Sequence, residues 1–421
     1  MDAHRILILG GGTGGTIVAN RLDRLYGASA RITVIDRDDE HVYQPGLLFV
    51  PFGLADPDEI VRSRRKQLRD RVELLAGEVE RVDVASSIVE LASGSTLEYD
   101  VLVIASGASL APEETDGLNG PAWGESIHTF YTLEGAAALR EALDSFDSGH
   151  LVVDVIDMPI KCPVAPLEFC FLADWDLRRR GRRDRVEITL LTPLDGAFTK
   201  PVASAHLARL LEEKGIHVEP EFATGRVDPL ARRVHSWDER TIDYDLLVAI
   251  PVHQGPAYVT RSQGLGDALG FIPTDPHTLR ARAGDNVFVI GDATNVPTSK
   301  AGSVTHFEGQ ILVENVRCFL AGEPLSASYD GHANCFIETG FHKALLIDFD
   351  YVAEPLPGRF PDPRLGPLPL LAESRLNHLA KLAFQPLYWH VLLPGHDIPG
   401  VGPEGPSADS APLLAARGVG A

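Results

Sequence analysis

Four cysteines stand in the 421-residue chain, and two of them have neighbours that suit thiolate chemistry. Cys162 follows Lys161 in the string Ile160, Lys161, Cys162, Pro163, Val164, Ala165, Pro166, after a strand and before a helix expected from about Leu167 to Arg179. A lysine and a helix N-terminus both favour the thiolate, the form that attacks sulfur. Cys335 closes the string Tyr329, Asp330, Gly331, His332, Ala333, Asn334, whose polar, Gly-containing approach reads as a loop. Cys170 and Cys318 lie in apolar helical runs, where a free cysteine serves as a small core residue. No two cysteines form a CxxC clip, so neither a metal site nor a disulfide scaffold is expected. Cys162 and Cys335 are 173 positions apart, and only the fold could join them.

A second constellation opens the chain. Gly10, Gly12 and Gly15 have the GxGxxG spacing between a strand, Arg5 to Leu9, and a helix, Thr16 to Leu25, and Asp36 closes the next strand. Such glycines give a tight turn, close approach of a pyrophosphate to backbone and close packing of helix on strand, while the acid accepts from a ribose hydroxyl. An adenine dinucleotide is expected there. Two later strand ends join this set. Ala105, Ser106 and Gly107 follow the strand Tyr99 to Ile104 in a turn that resembles the chain exit from the flavin domain of two-dinucleotide flavoproteins, and Gly291 and Asp292 follow Asn286 to Ile290. Asp292 could accept from a ribityl hydroxyl, and the helix starting after Lys300, Ala301 and Gly302 could stabilise negative charge on a reduced flavin ring.

The elements that must position these groups repeat at a period near 145 residues. Leu151 to Ile156 answers the first strand, Ile188 to Leu191 the second, and Tyr244 to Val248 matches Tyr99 to Val103. The fold class expected is α/β, with two Rossmann-like domains and a C-terminal helical region facing a membrane. Residues 1–108 and 253–325 form the first, flavin-binding domain, 109–252 the second, and 326–421 the C-terminal region. The second copy reads Asp157, Met158, Pro159, Ile160, Lys161, Cys162, Pro163 where glycines should stand, and Thr192 and Pro193 replace its acid. A nicotinamide dinucleotide has no seat there.

In the C-terminal region a Pro-rich stretch, 355–369, precedes a helical segment from about Ala372 to Leu393 and a tail from Pro394 expected to be disordered. Leu376, Leu379, Ala380, Ala383 and Leu387 make an apolar face that Phe384, Tyr388, Trp389 and Val391 widen. Two readings stand. The helix caps the core, or it lies in a membrane surface with Tyr388 and Trp389 at headgroup depth and Lys381 snorkelling. The balance of 38 basic and 59 acidic residues, a net charge of −21, excludes nucleic acid as a partner. Neither a secretory signal nor an 18-residue apolar run is present, so a cytoplasmic, peripheral protein is expected.

From about Arg5 to Pro394 the chain resembles the sulfide:quinone oxidoreductases, a branch of the two-dinucleotide-fold flavoproteins. Three strings carry the resemblance: Lys161, Cys162, Ala165 and Pro166; Tyr329, Asp330, Gly331 and Cys335; and Gly291, Asp292, Thr294, Asn295, Pro297, Thr298, Ser299 and Lys300. It departs from the family pattern at Pro163 and Val164, where Ala-Gly is common, and at Leu167 and Glu168, where Gln-Lys is frequent. No third cysteine lies near residues 120 to 130.

The resemblance implies FAD and a Cys162–Cys335 pair that takes sulfur from sulfide. Lys300 would stabilise the reduced ring, and electrons would pass to quinone at the inner face of the cell membrane. Glu168 and His253 are candidate proton handlers, and Phe336, Phe384 and Tyr388 candidates for gripping a quinone ring, with surface or core placement the plainer role of each. Assembly as a homo-oligomer stays open. The rivals are a type II NADH dehydrogenase, which needs an intact second nucleotide site, and a non-catalytic flavin-binding or sulfur-carrier protein.

Overall fold

The computed structural model describes residues 3–405. Two five-stranded parallel sheets form its centre. The first runs in the order 287–289, 101–104, 4–9, 30–36, 73–76, and the second in the order 127–128, 246–250, 149–155, 186–191, 217–219. Their strands are near-continuous apolar runs because both faces are covered, as parallel sheets require. Each sheet carries a three-stranded antiparallel appendage, with strands beginning at 79, 88 and 96 in the first and at 224, 233 and 241 in the second. The constant offset of 145 is the repeat read from the sequence. A short antiparallel pair, Ser109–Leu110 with His253–Gln254, marks where the chain leaves the first unit and returns to it.

The C-terminal region departs from expectation in three places. Residues 333–340 and 343–349 form an antiparallel hairpin, so Cys335 lies on a strand and only its approach is a loop. The hairpin turns at Phe341 and His342, both in left-handed backbone, where Asn-Gly would be the usual signal. It is packed between the helix Ala165–Arg179 and the helix Arg375–Leu387. Beyond that last helix a π-turn, Tyr388–Leu392, lays the chain on the first helix, Thr13–Tyr26. Asn20 Nδ2 donates to Leu393 O at 2.7 Å, Arg24 to Pro394 O and Gly395 O at 2.8 and 2.9 Å, and Arg21 pairs with Asp397 at 2.7 Å. The expected disordered tail is thus ordered up to Gly405, whose N–H donates to Asp330. Residues 406–421 lie outside the described residues.

Asp154 is fully buried on the central strand of the second sheet, accepting from Thr224 Oγ1 at 2.9 Å. Burial pushes its carboxyl up to about 7, against that hydrogen bond. Because the folded protein holds this proton longer than the unfolded chain, Asp154 costs stability as pH rises from about 4 to about 7. Asp154→Asn keeps the acceptor and removes the titration. Urea unfolding should show the variant gaining about 2 kcal/mol on the parent between pH 5 and pH 8; parallel pH slopes for the two proteins would place the titration elsewhere.

Candidate active site

The glycine loop, the Ala105–Gly107 turn and the Gly291 turn meet at one edge of the first sheet. A Cβ on Gly15 would lie 1.8 Å from Gly10 O, and one on Gly10 would lie 2.6 Å from Ala105 O, so these glycines are required by packing. At Gly12, the N-cap of the first helix, a Cβ would meet nothing. That open space before free helix N–H groups fits a pyrophosphate. Asp36 accepts from Gly11 N–H at 2.6 Å and pairs with the buried Arg64 at 3.4 Å. Ser106 Oγ bonds Tyr258, Gly291 N–H donates to Glu308 at 2.8 Å, and Ala301 caps the helix Gly302–Leu320.

Lys300 is buried, and its ammonium donates to the carbonyls of Asp292 and Thr294 at 2.9 and 2.6 Å over the ring of Phe271. It therefore braces the turn that carries Asp292. Burial pushes the Asp292 carboxyl up, opposed by the ammonium groups of Lys300 and Lys161.

Cys162 sits where the second unit would hold its own dinucleotide. Its backbone is left-handed, with φ 46°, a conformation that costs a non-glycine residue about 1 kcal/mol or more. Its N–H donates to Lys300 O at 2.6 Å, its carbonyl accepts from Ala165 N–H at 2.9 Å, and Tyr131 reaches the same carbonyl at 3.4 Å. These bonds fasten the cysteine loop to the flavin-side loop. Burial pushes the Cys162 thiol up. It is opposed first by Lys381 and then by the helix-start N–H groups of Ala165 and Val164, while Asp292 adds to the rise. The helix start acts as the sequence suggests, but the supporting lysine is Lys381 rather than Lys161, whose ammonium answers to Asp292.

Cys335 is buried, and burial first and then charge on Cys162 push its thiol up. Both thiols are free. Between the cysteines' elements lies a polar knot. Glu168 Oε1 accepts from Glu338 N–H at 2.7 Å and from Lys381 Nζ, and Lys381 also reaches Phe336 O at 3.1 Å. Glu338 in turn pairs with His378 at 2.9 Å, one turn before Lys381 on the same helix. Burial pushes the Lys381 ammonium down, against Cys162.

Lys381 thus points into the protein and does not snorkel. Nothing in its local sequence marked it, since Glu168 and Phe336 are supplied by distant segments. Glu338 and His378 were missed for the same reason. His253 is a poor proton handler, because burial and Lys161 push it down to about 3 and hold the ring neutral. Tyr388 is also misplaced as a quinone contact: it is 1% exposed, and its hydroxyl lies 2.8 Å from Thr13 Oγ1 and 2.7 Å from His41 Nε2. Phe336 and Phe384 are half-buried near Lys381, whose ammonium also lies 5.6 Å from the ring of Phe49. Cys170 and Cys318 are buried core residues, as expected.

Residues 4–153 match the family model described as pyridine nucleotide-disulphide oxidoreductase. Several relatives span nearly all of the chain. A mitochondrial sulfide:quinone oxidoreductase of Mus musculus is 27% identical over 93% of this chain and 87% of its own length. Its counterpart in Dictyostelium discoideum is 27% identical over 94% and 87%. Among solved structures, the sulfide:quinone oxidoreductase of Aquifex aeolicus superposes with a TM-score of 0.79, at 20% identity, over 94% of this chain and 92% of that one. Along nearly its whole length the chain is similar to proteins named sulfide:quinone oxidoreductase, and it shares the fold of the Aquifex aeolicus structure.

Proposed function

We propose that the chain oxidises sulfide to sulfane sulfur or polysulfide and passes the electrons through bound FAD to a membrane quinone. One set of contacts carries this reading: the Cys162 N–H bonds Lys300 O beside the turn of Asp292, and Lys381 bonds the carbonyl of Phe336, next to Cys335, about a nucleotide loop that has lost its glycines. Gly10, Gly12, Gly15 and Asp36 would hold the adenosine and pyrophosphate, and Ala105, Ser106, Gly107, Gly291, Asp292, Lys300 and Ala301 the rest of the cofactor. Bound FAD supplies the two-electron acceptor.

In the oxidised pair a disulfide joins Cys162 and Cys335. Hydrosulfide attacks one sulfur, the disulfide bond breaks, and one cysteine becomes a persulfide while the other leaves as thiolate. Lys381 and the helix-start N–H groups stabilise a thiolate at Cys162. Release of the sulfane sulfur with return of the disulfide is a two-electron oxidation, for which FAD, when bound, would be the acceptor. Lys381, bonded to Glu168, would be the group that takes a proton from, or gives it to, the reacting sulfur. A type II NADH dehydrogenase is disfavoured, because Pro159 and the fastened Cys162 loop occupy the second nucleotide seat.

Membrane contact is proposed through the helix Arg375–Leu387. No helix among the described residues is long and apolar enough to cross a membrane. That helix leaves Leu376, Leu379 and Leu382 exposed by 45, 59 and 49%, whereas Trp389 is only 3% exposed. The lipid-facing residues are then these three leucines and not the aromatic pair. Burying them would contribute about 1 kcal/mol each, enough for reversible attachment at the inner face of the cell membrane.

Cys162→Ser and Cys335→Ser should each retain FAD and slow its bleaching by sulfide about a hundredfold or more, while micromolar NADH leaves the flavin oxidised in every form. Near-normal reduction in Cys335→Ser would end the paired mechanism. Lys381→Met should lower the alkylation rate of Cys162 about tenfold near pH 8, with Lys381→Arg closer to the parent; an unchanged rate would remove Lys381 from thiolate support. Replacing Leu376, Leu379 and Leu382 together with Glu should release the protein from liposomes and slow quinone reduction more than flavin reduction. Equal sedimentation of parent and variant with liposomes would move the contact elsewhere.

A further inference from the structure

Tyr388 links the C-terminal segment to the dinucleotide loop in a way that sulfide chemistry does not require. Its hydroxyl lies between Thr13 Oγ1 and His41 Nε2, and His41 Nδ1 lies 3.1 Å from Gly11 O. A carbonyl only accepts, so Nδ1 carries the proton and Nε2 is the acceptor. The Tyr388 hydroxyl therefore donates to His41 and accepts from Thr13. The resulting chain runs from the Thr13 hydroxyl through Tyr388 and His41 to the Gly11 carbonyl, with Tyr388 and His41 both buried. Gly11 and Thr13 flank Gly12, in front of which the pyrophosphate space is open.

We propose that residues 388–397 are a latch on the dinucleotide site: their docking and FAD binding are coupled through the Tyr388 hydroxyl. The proposal rests on the flavin reading above. A pyrophosphate binds only if the loop about Gly12 is held in one conformation, and the latch holds both of its flanks from behind. By linkage, a ligand that orders the loop must strengthen the latch by the same factor. The helix that carries Lys381 runs directly into Tyr388, so seating the latch also seats Lys381 beside Glu168 and Cys162. Tyr388 is then a positioning residue that makes the sulfur site complete when the cofactor is in place.

Tyr388→Phe deletes the hydroxyl and keeps the ring. The full-length protein would be stripped of flavin, and FAD affinity measured by fluorescence quenching beside the melting temperatures of apo and loaded forms. The variant should bind FAD about fivefold more weakly. Its apo form should lose less stability than its loaded form, and FAD should protect the 375–397 segment from limited proteolysis less than in the parent. A parental FAD affinity, or an equal loss of stability in apo and loaded forms, would make the hydroxyl merely structural and overturn the coupling. If Tyr388→Phe does not fold, Thr13→Val breaks the same chain from the other end and is read in the same way. Failure of the parent itself to bind FAD would sink the flavin reading first, and the latch with it.

Discussion

A primary ammonium group cannot be buried without partners, and that of Lys381 is held among Glu168, the Phe336 carbonyl and Cys162. This constraint organises the C-terminal third of the molecule. Glu168 belongs to the helix behind Cys162, Phe336 to the strand of Cys335, and Lys381 to the last helix. Satisfying one charge therefore locks three elements together, and the two cysteines are presented to each other as a result. Breaking the pair from either side leaves an uncompensated buried charge, which costs more than the pair contributes when intact.

The second repeat shows how a duplicated fold takes on new chemistry. Its sheet keeps the strand order and the 145-residue spacing of the first, because those depend on apolar runs that both copies retain. Its first crossover loop has changed character. Where the first copy has glycines and an open helix start, the second carries Cys162 in a strained left-handed conformation, bonded to the Lys300 carbonyl. Strain of this kind persists only where surrounding bonds over-determine it. Here the same bonds bring the cysteine loop against the turn of Asp292.

The last helix divides its roles along its length and around its girth. Lys381 and His378 face inward, three leucines face outward, and the following turn buries Tyr388 and Trp389 against His41 and Tyr43. The core-capping reading thus holds for the end of the segment, while the exposed leucine stripe leaves room for the interfacial one. Trp389 also lies under Arg62, at 4.4 Å, so this corner joins the segment to the first unit by ring packing as well as by hydrogen bonds.

The sequence alone determined the two α/β units and their repeat, and it singled out as candidates the glycine loop with Asp36 and, through the family resemblance, the pair Cys162 and Cys335. These are local signals: periodic apolar runs, glycine spacing and a cysteine at a helix start are written within a few residues of each other. It did not reveal the hairpin of Cys335, whose turn uses Phe341 and His342 in place of glycine or asparagine. Nor could it orient the last helix, because apolar residues occur on both its faces, and a lysine among them reads as a surface group until its partners are known. Which lysine supports Cys162, which aromatic groups are buried and where Tyr388 docks depend on contacts between segments up to 375 positions apart. Only the tertiary structure decides these, because burial and charge pairing are properties of the space between elements and not of any one of them.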